Sequence, residues 1–145
     1  MGNRVMVAES SGRRQASKTL ALEFGMMNAL KTIESEVCAW PNVSIHPHRF
    51  GGREFRVGSA EVGHLHAGGV VDIPFPRSVR DALLAKGLAE EHHWVPNSGW
   101  ITFRILNEED FRHALWLMRL SYLRYLLKRQ PIRRSSLTGK VNNCT

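Results

Sequence analysis

Gly63-His64-Leu65-His66-Ala67-Gly68-Gly69-Val70-Val71-Asp72-Ile73-Pro74-Phe75-Pro76 decides the fold. Two apolar-alternating runs flank Ala67-Gly68-Gly69, a three-residue loop in which glycine supplies the positive φ that a short hairpin needs. This spacing predicts a β-hairpin with His66 opposite Val70, Leu65 opposite Val71 and His64 opposite Asp72. Side chains alternate along a strand, so Leu65, Val71, Ile73 and Phe75 are assigned to the core face. His64, His66 and Asp72 then share the other face, with cross-strand neighbours about 5 Å apart.

Upstream, Glu54-Phe55-Arg56-Val57 alternates as a strand and Gly58-Ser59 turns into a second strand, Glu61 to His66. Asn42 to Gly52 is rich in turn formers and reads as a connector. Before it, Leu20, Phe24, Met27, Leu30, Ile33 and Val37 recur at helical spacing, which predicts a helix over Lys18–Ala39 capped by Ser17 and ended by Pro41. Residues 1–16 lack periodicity and are expected to be a flexible lead-in.

Downstream, Pro76 starts a short helix and Gly87 stops it. Pro96-Asn97-Ser98-Gly99 then joins two strands, His92–Val95 and Trp100–Ile105. Here Trp94, Ile101, Phe103 and Ile105 are expected to face the core, and His93, Trp100, Thr102 and Arg104 the opposite side. Asn107 caps a last helix with Glu108, Glu109 and Asp110 in its first turn, where the dipole favours anions. The stripe of that helix is Phe111, Leu115, Met118, Tyr122 and Tyr125 or Leu126.

The fold class is therefore α+β, in the order α-βββ-α-ββ-α, with an antiparallel sheet of four to five strands and helices mainly on one face. A single domain is assigned to residues 17–130. Residues 131–145 form a basic tail expected to be disordered and dispensable for folding.

Composition narrows the function. The hydrophobic fraction of 43% suits a folded domain, and no apolar run spans a bilayer. The polar, basic N-terminus does not resemble a signal peptide, so a cytoplasmic protein without membrane contact is expected. Two cysteines, Cys38 and Cys144, form no Cys-x-x-Cys unit and read as unreactive thiols. The net charge is +7, and no acidic residue follows Asp110. Arg124, Lys128 and Arg129 could attract nucleic acid, or they could be a solvated helix end.

The non-core sheet face carries the chemistry. A carboxylate beside histidine fixes the ring tautomer and stabilises the imidazolium, as acid–base catalysis requires. His64, Asp72 and His66 are the candidate catalytic residues, and His93, Trp100 and Arg104 the candidate substrate-binding ones. The plainer alternative is a set of polar side chains on a wet sheet face. His-x-His is also a metal-ligand spacing, for which Asp72 and His93 are the only partners that can be placed nearby. Neither a metal nor a cofactor is assigned. His46-Pro47-His48 reads as a loop feature, His92 as a satisfied core histidine and His113 as solvated.

The run from Gly63 to Pro76, with Gly87-Leu88-Ala89, His92-His93, Pro96-Asn97-Ser98-Gly99-Trp100 and Ser121-Tyr122, resembles the luciferase-domain family over about residues 53 to 125. That family includes the luciferase of bioluminescent fungi and short bacterial proteins, and the chain is similar to the short bacterial type. As a short member it is expected to be without the long N-terminal, membrane-anchored region of the fungal enzymes. The resemblance implies oxygen chemistry without a bound cofactor: dioxygen adds to a hydroxylated pyranone and the product decarboxylates with light. Such chemistry needs a base, an apolar pocket for oxygen and a group that holds an anion. His64 fits the base, Asp72 its orienter and His66 or Arg104 the anion holder, with Trp100 stacking on a flat substrate. The resulting expectation is a protein that binds or transforms a small planar organic molecule, with cofactor-independent oxygenase chemistry as the reaction the resemblance implies. The competing expectation is a non-catalytic module that binds nucleic acid or protein through its basic C-terminal helix.

Overall fold

The computed structural model describes residues 8–129, with side chains from 15 to 128. Its elements are α1 (Ala8–Cys38), β1 (Val43–Pro47), β2 (Arg53–Val57), β3 (Ala60–Leu65), β4 (Val70–Pro74), α2 (Arg77–Ala85), β5 (Glu90–Glu91), β6 (Trp100–Arg104) and α3 (Glu108–Arg129). The six strands form one antiparallel sheet in the order β1-β2-β3-β4-β6-β5. The α+β class and the expected order hold, with one additional strand at the N-terminal edge.

That additional strand is β1, which lies inside the stretch expected to be a connector. Its last residue, Pro47, has no backbone donor, a loss that an edge strand such as β1 accommodates readily. The helix before it begins at Ala8 rather than Lys18, so Ser17 sits within the helix and does not cap it.

The register of the β3–β4 hairpin is the expected one, His64 opposite Asp72 and Leu65 opposite Val71. The last hairpin differs. Glu90 and Glu91 pair with Thr102 and Ile101, while residues 92–99 form bends and turns. Trp94 is accordingly 64% exposed and not in the core.

Helices α1 and α3 pack together on one sheet face. Ile33 and Val37 of α1 meet Ala114, Leu117, Met118 and Tyr122 of α3 over Phe55, Val62, Leu65, Val71, Ile73 and Ile101. Burying each large apolar side chain contributes about 1.5–3 kcal/mol, so this layer sets the fold. Leu20, Phe24 and Met27, expected on the buried stripe of α1, are exposed because only the C-terminal part of that helix reaches the sheet. Asn107 caps α3 as expected, accepting from the Asp110 amide at 2.9 Å. His113 is not free in solvent: its Nε2 lies 2.7 Å from the Leu88 carbonyl and its ring packs on Phe103 and Trp116.

No helix among the described residues is long and apolar enough to cross a membrane. The tail 131–145, Cys144 and the first part of the 1–16 segment lie outside the described residues.

Candidate functional site

The sheet face away from α1 and α3 carries a buried polar cluster centred on Asp72, which is 1% exposed. Three strands position it. Asp72 of β4 faces His64 of β3 on one side and Thr102 of β6 on the other. Thr102 Oγ1 donates to Asp72 Oδ1 at 2.5 Å. Asp72 Oδ2 takes the histidines, with His66 Nε2 at 3.0 Å, His64 Nε2 at 3.3 Å and His92 Nε2 at 3.6 Å.

A β-bulge adds a member that alternation alone excludes. Arg56 pairs with Glu61 and Phe55 with Gly63, leaving Val62 without an opposite residue. The extra residue reverses the alternation, so Val62 enters the core while Glu61 and His64 come to the same face. Glu61 Oε1 then lies 2.6 Å from His64 Nδ1. Gly63 fits the bulge closely: a Cβ there would meet Met118 Sδ at 2.9 Å and the Asp72 carbonyl at 3.0 Å.

The connector after β1 closes one side. The His48 ring stacks on His64 with centroids 3.9 Å apart. Its Nδ1 is buried without a hydrogen-bond partner, and Glu54 Oε2 is 3.5 Å away. Glu54 is itself buried beside His64 on β2 and bonded to Arg56. Gly52 allows this loop to lie against β3. Its φ is +110°, and a Cβ would stand 2.2 Å from the Leu65 carbonyl oxygen.

The 92–99 segment closes the other side. Trp100 lies 5.4 Å from His64 by ring centroids, and Trp94 meets Phe50 of the opposite loop at 5.5 Å. Buried Arg80 of α2 holds the segment in place by donating to the Pro96 carbonyl and to Glu91.

These contacts fix the charges. Burial disfavours a proton on His64, but its hydrogen bonds to Asp72 and Glu61 and the charges of those carboxylates outweigh it and raise its pKa to about 9. Burial alone would push the Asp72 carboxyl up. Bonds from His64, Thr102 and His66 and the charge of His92 instead hold it well below the usual carboxylate range. His92 is shifted down, chiefly by burial, and by the nearby His93, His64 and His66 against the pull of Asp72. The Trp94 amide donates to His92 Nδ1 at 3.3 Å, which leaves the proton of the neutral ring on Nε2, toward Asp72. At neutral pH the centre is thus an imidazolium–carboxylate pair beside a neutral imidazole.

Of the residues singled out in the sequence, His64, His66, Asp72 and Trp100 come together. His93 does not join them. It is exposed and stacked on His92, because residues 92–95 leave the sheet. Arg104 is exposed and lies 3.5 Å from Glu90. His92 points to Asp72 and not into the apolar core. His48, read as a loop feature, belongs to the cluster, and Glu54 and Glu61 complete it. Arg124 is not a free surface cation, since it donates to the Pro74 carbonyl at 2.9 Å and packs on Tyr125.

Residues 59–121 match the family model described as Luciferase domain. The match contains His64, His66, Asp72, His92, Trp100 and Ser121, and ends short of His48, Phe50 and Glu54. Comparison with curated proteins and with solved structures finds no match.

Proposed function

We propose, with the luciferase domain at residues 59–121 as premise, that the polar sheet face binds and transforms a small planar organic molecule. One observation carries this reading: a buried, charged His64–Asp72 pair lies directly under Trp100, between two loops that present the exposed aromatics Phe50 and Trp94. Burying charge is costly, and a fold that only needed a stable sheet would gain more from apolar residues there. Flat aromatic surfaces above a fixed cation suit a conjugated enol or enolate, which stacks on the rings and places its oxygen toward the imidazolium.

The proton on His64 makes it an anion holder at neutral pH. His92 is the neutral ring beside Asp72, with its Nδ1 lone pair taken by the Trp94 amide, and it frames the carboxylate. Asp72 orients both. Cofactor-free addition of dioxygen to such an enolate is the reaction class that this arrangement serves, with the luciferase-domain family as its chemical precedent.

The test is binding of a hydroxylated pyranone, followed by quenching of tryptophan emission. Trp100→Leu and His64→Gln should each weaken binding about tenfold or more, as loss of a stacking or charged contact does. Lys128→Ala should leave it unchanged. Equal affinity in all three variants would remove this face as the binding site.

A further inference from the structure

We propose that His48, His64 and His66 form a binding site for one divalent first-row transition-metal ion. The reading of a planar ligand is not needed for it. One ring nitrogen from each of the three histidines can be chosen so that all lie within 4.8 Å of one another. Imidazole suits zinc, iron, nickel and copper, and three histidines are a sufficient protein set when a further position is left open. Ligand atoms about 2.1 Å from a common ion stand roughly 3–3.5 Å apart, so closure needs only a small movement of the rings. His48 is placed to make it, because it follows the edge strand β1 and is carried by the connector to Gly52.

Three further observations point to an ion. The His48 Nδ1 is buried with no hydrogen-bond partner, and a metal bound by that ring would either use this atom or turn it to Glu54. His64 Nδ1 is held by Glu61 at 2.6 Å, the carboxylate–histidine arrangement that orients ligating imidazoles and strengthens them as donors. Asp72 Oδ2, between His64 and His66, places a negative charge where it would offset the ion.

The two His-x-His units of the sequence are unequal in this respect. His64 and His66 both contribute. Of the pair around Pro47, only His48 does, while His46 bonds to Ser44 on the edge strand at 2.9 Å. His46 is therefore an internal control two residues from a ligand.

The full chain, stripped with chelator, is titrated with Co²⁺ and followed by visible d–d absorption, with Zn²⁺ as competitor. One saturable equivalent is expected. His48→Ala and His66→Ala should each weaken binding by at least about tenfold, and His46→Ala should not. His48 lies outside the strands, so His48→Ala keeps the fold, which circular dichroism checks. Absence of saturable Co²⁺ and Zn²⁺ binding in the parent chain overturns the site, as does binding that survives both substitutions. Tryptophan quenching by the pyranone in the metal-free protein is read separately, so either idea can fail without the other.

Discussion

Glu61 Oε1 stands 2.6 Å from His64 Nδ1, although three residues separate them along one strand. The bulge at Val62 makes this possible, and the bond helps hold a proton on His64. Glu61→Gln keeps the shape and removes the charge. In metal-free protein the His64 pKa should then fall from about 9 toward the ordinary 6.5. Titration of its ring resonances by NMR reads this directly. A value unchanged from the parent would show that Asp72 alone sets the proton.

Ser121 links the helix layer to the same bulge. Its hydroxyl donates to the Val62 carbonyl at 2.8 Å and also lies 3.4 Å from the Pro74 carbonyl. Ser121→Ala leaves a buried carbonyl without this donor, which costs about 1–3 kcal/mol. Urea denaturation should show that loss with an unchanged slope. A loss under a few tenths of a kcal/mol would mean that the bulge does not depend on α3.

The hairpin around Ala67-Gly68-Gly69 was legible because loop length and alternation fix its register, and its face assignment followed. Glu61 and Val62 were not legible, since a bulge breaks the period of two on which face assignment rests. Gly63 was the available signal, because a glycine inside a strand often marks a bulge. His48 was hidden by Pro47, which suggested a loop where an edge strand brings the chain back over β3. Trp94 and His93 went astray for a related reason. Glu90 and Glu91 carry the pairing, and the more β-like His92–Val95 run is drawn off the sheet by Arg80 and Pro96. The exposed Leu20 and Phe24 show the limit of helical periodicity: it marks an apolar face without saying whether this chain covers it.

Arg80 acts on the site without touching it. Its guanidinium bonds to Asp81, Glu91 and the Pro96 carbonyl, tying α2 to the segment that carries His92 and Trp94. Arg80→Met retains much of the packing and loses those bonds. Amide hydrogen exchange over residues 92–99 should rise, while exchange in β3 and β4 stays slow. A planar ligand should bind more weakly even though no contact residue is altered. Unchanged exchange in 92–99 would show that turn residues alone hold the segment.

The His64–Asp72 pair also gives stability a pH dependence of known sign. His64 has a raised pKa in the folded chain, so its contribution is complete below about 6.5 and is lost as pH rises through about 9. Asp72 is shifted down from 3.8, so its contribution is complete above that value and is lost as pH falls below it. Between these limits both charges are present and the pair stabilises most. Asp72→Asn removes one of them and leaves His64 with Glu61 only. At pH 6 the variant should be less stable by about 3–5 kcal/mol, the cost of breaking a buried ion pair. The gap should narrow between pH 6.5 and 9, because over that range the parent pays increasingly for keeping a proton that its unfolded chain has released. Urea midpoints measured at several pH values in chelator follow the gap. A difference that stays constant from pH 6 to 10 would mean that His64 is neutral in the folded protein, and the charged pair proposed for the site would have to be abandoned.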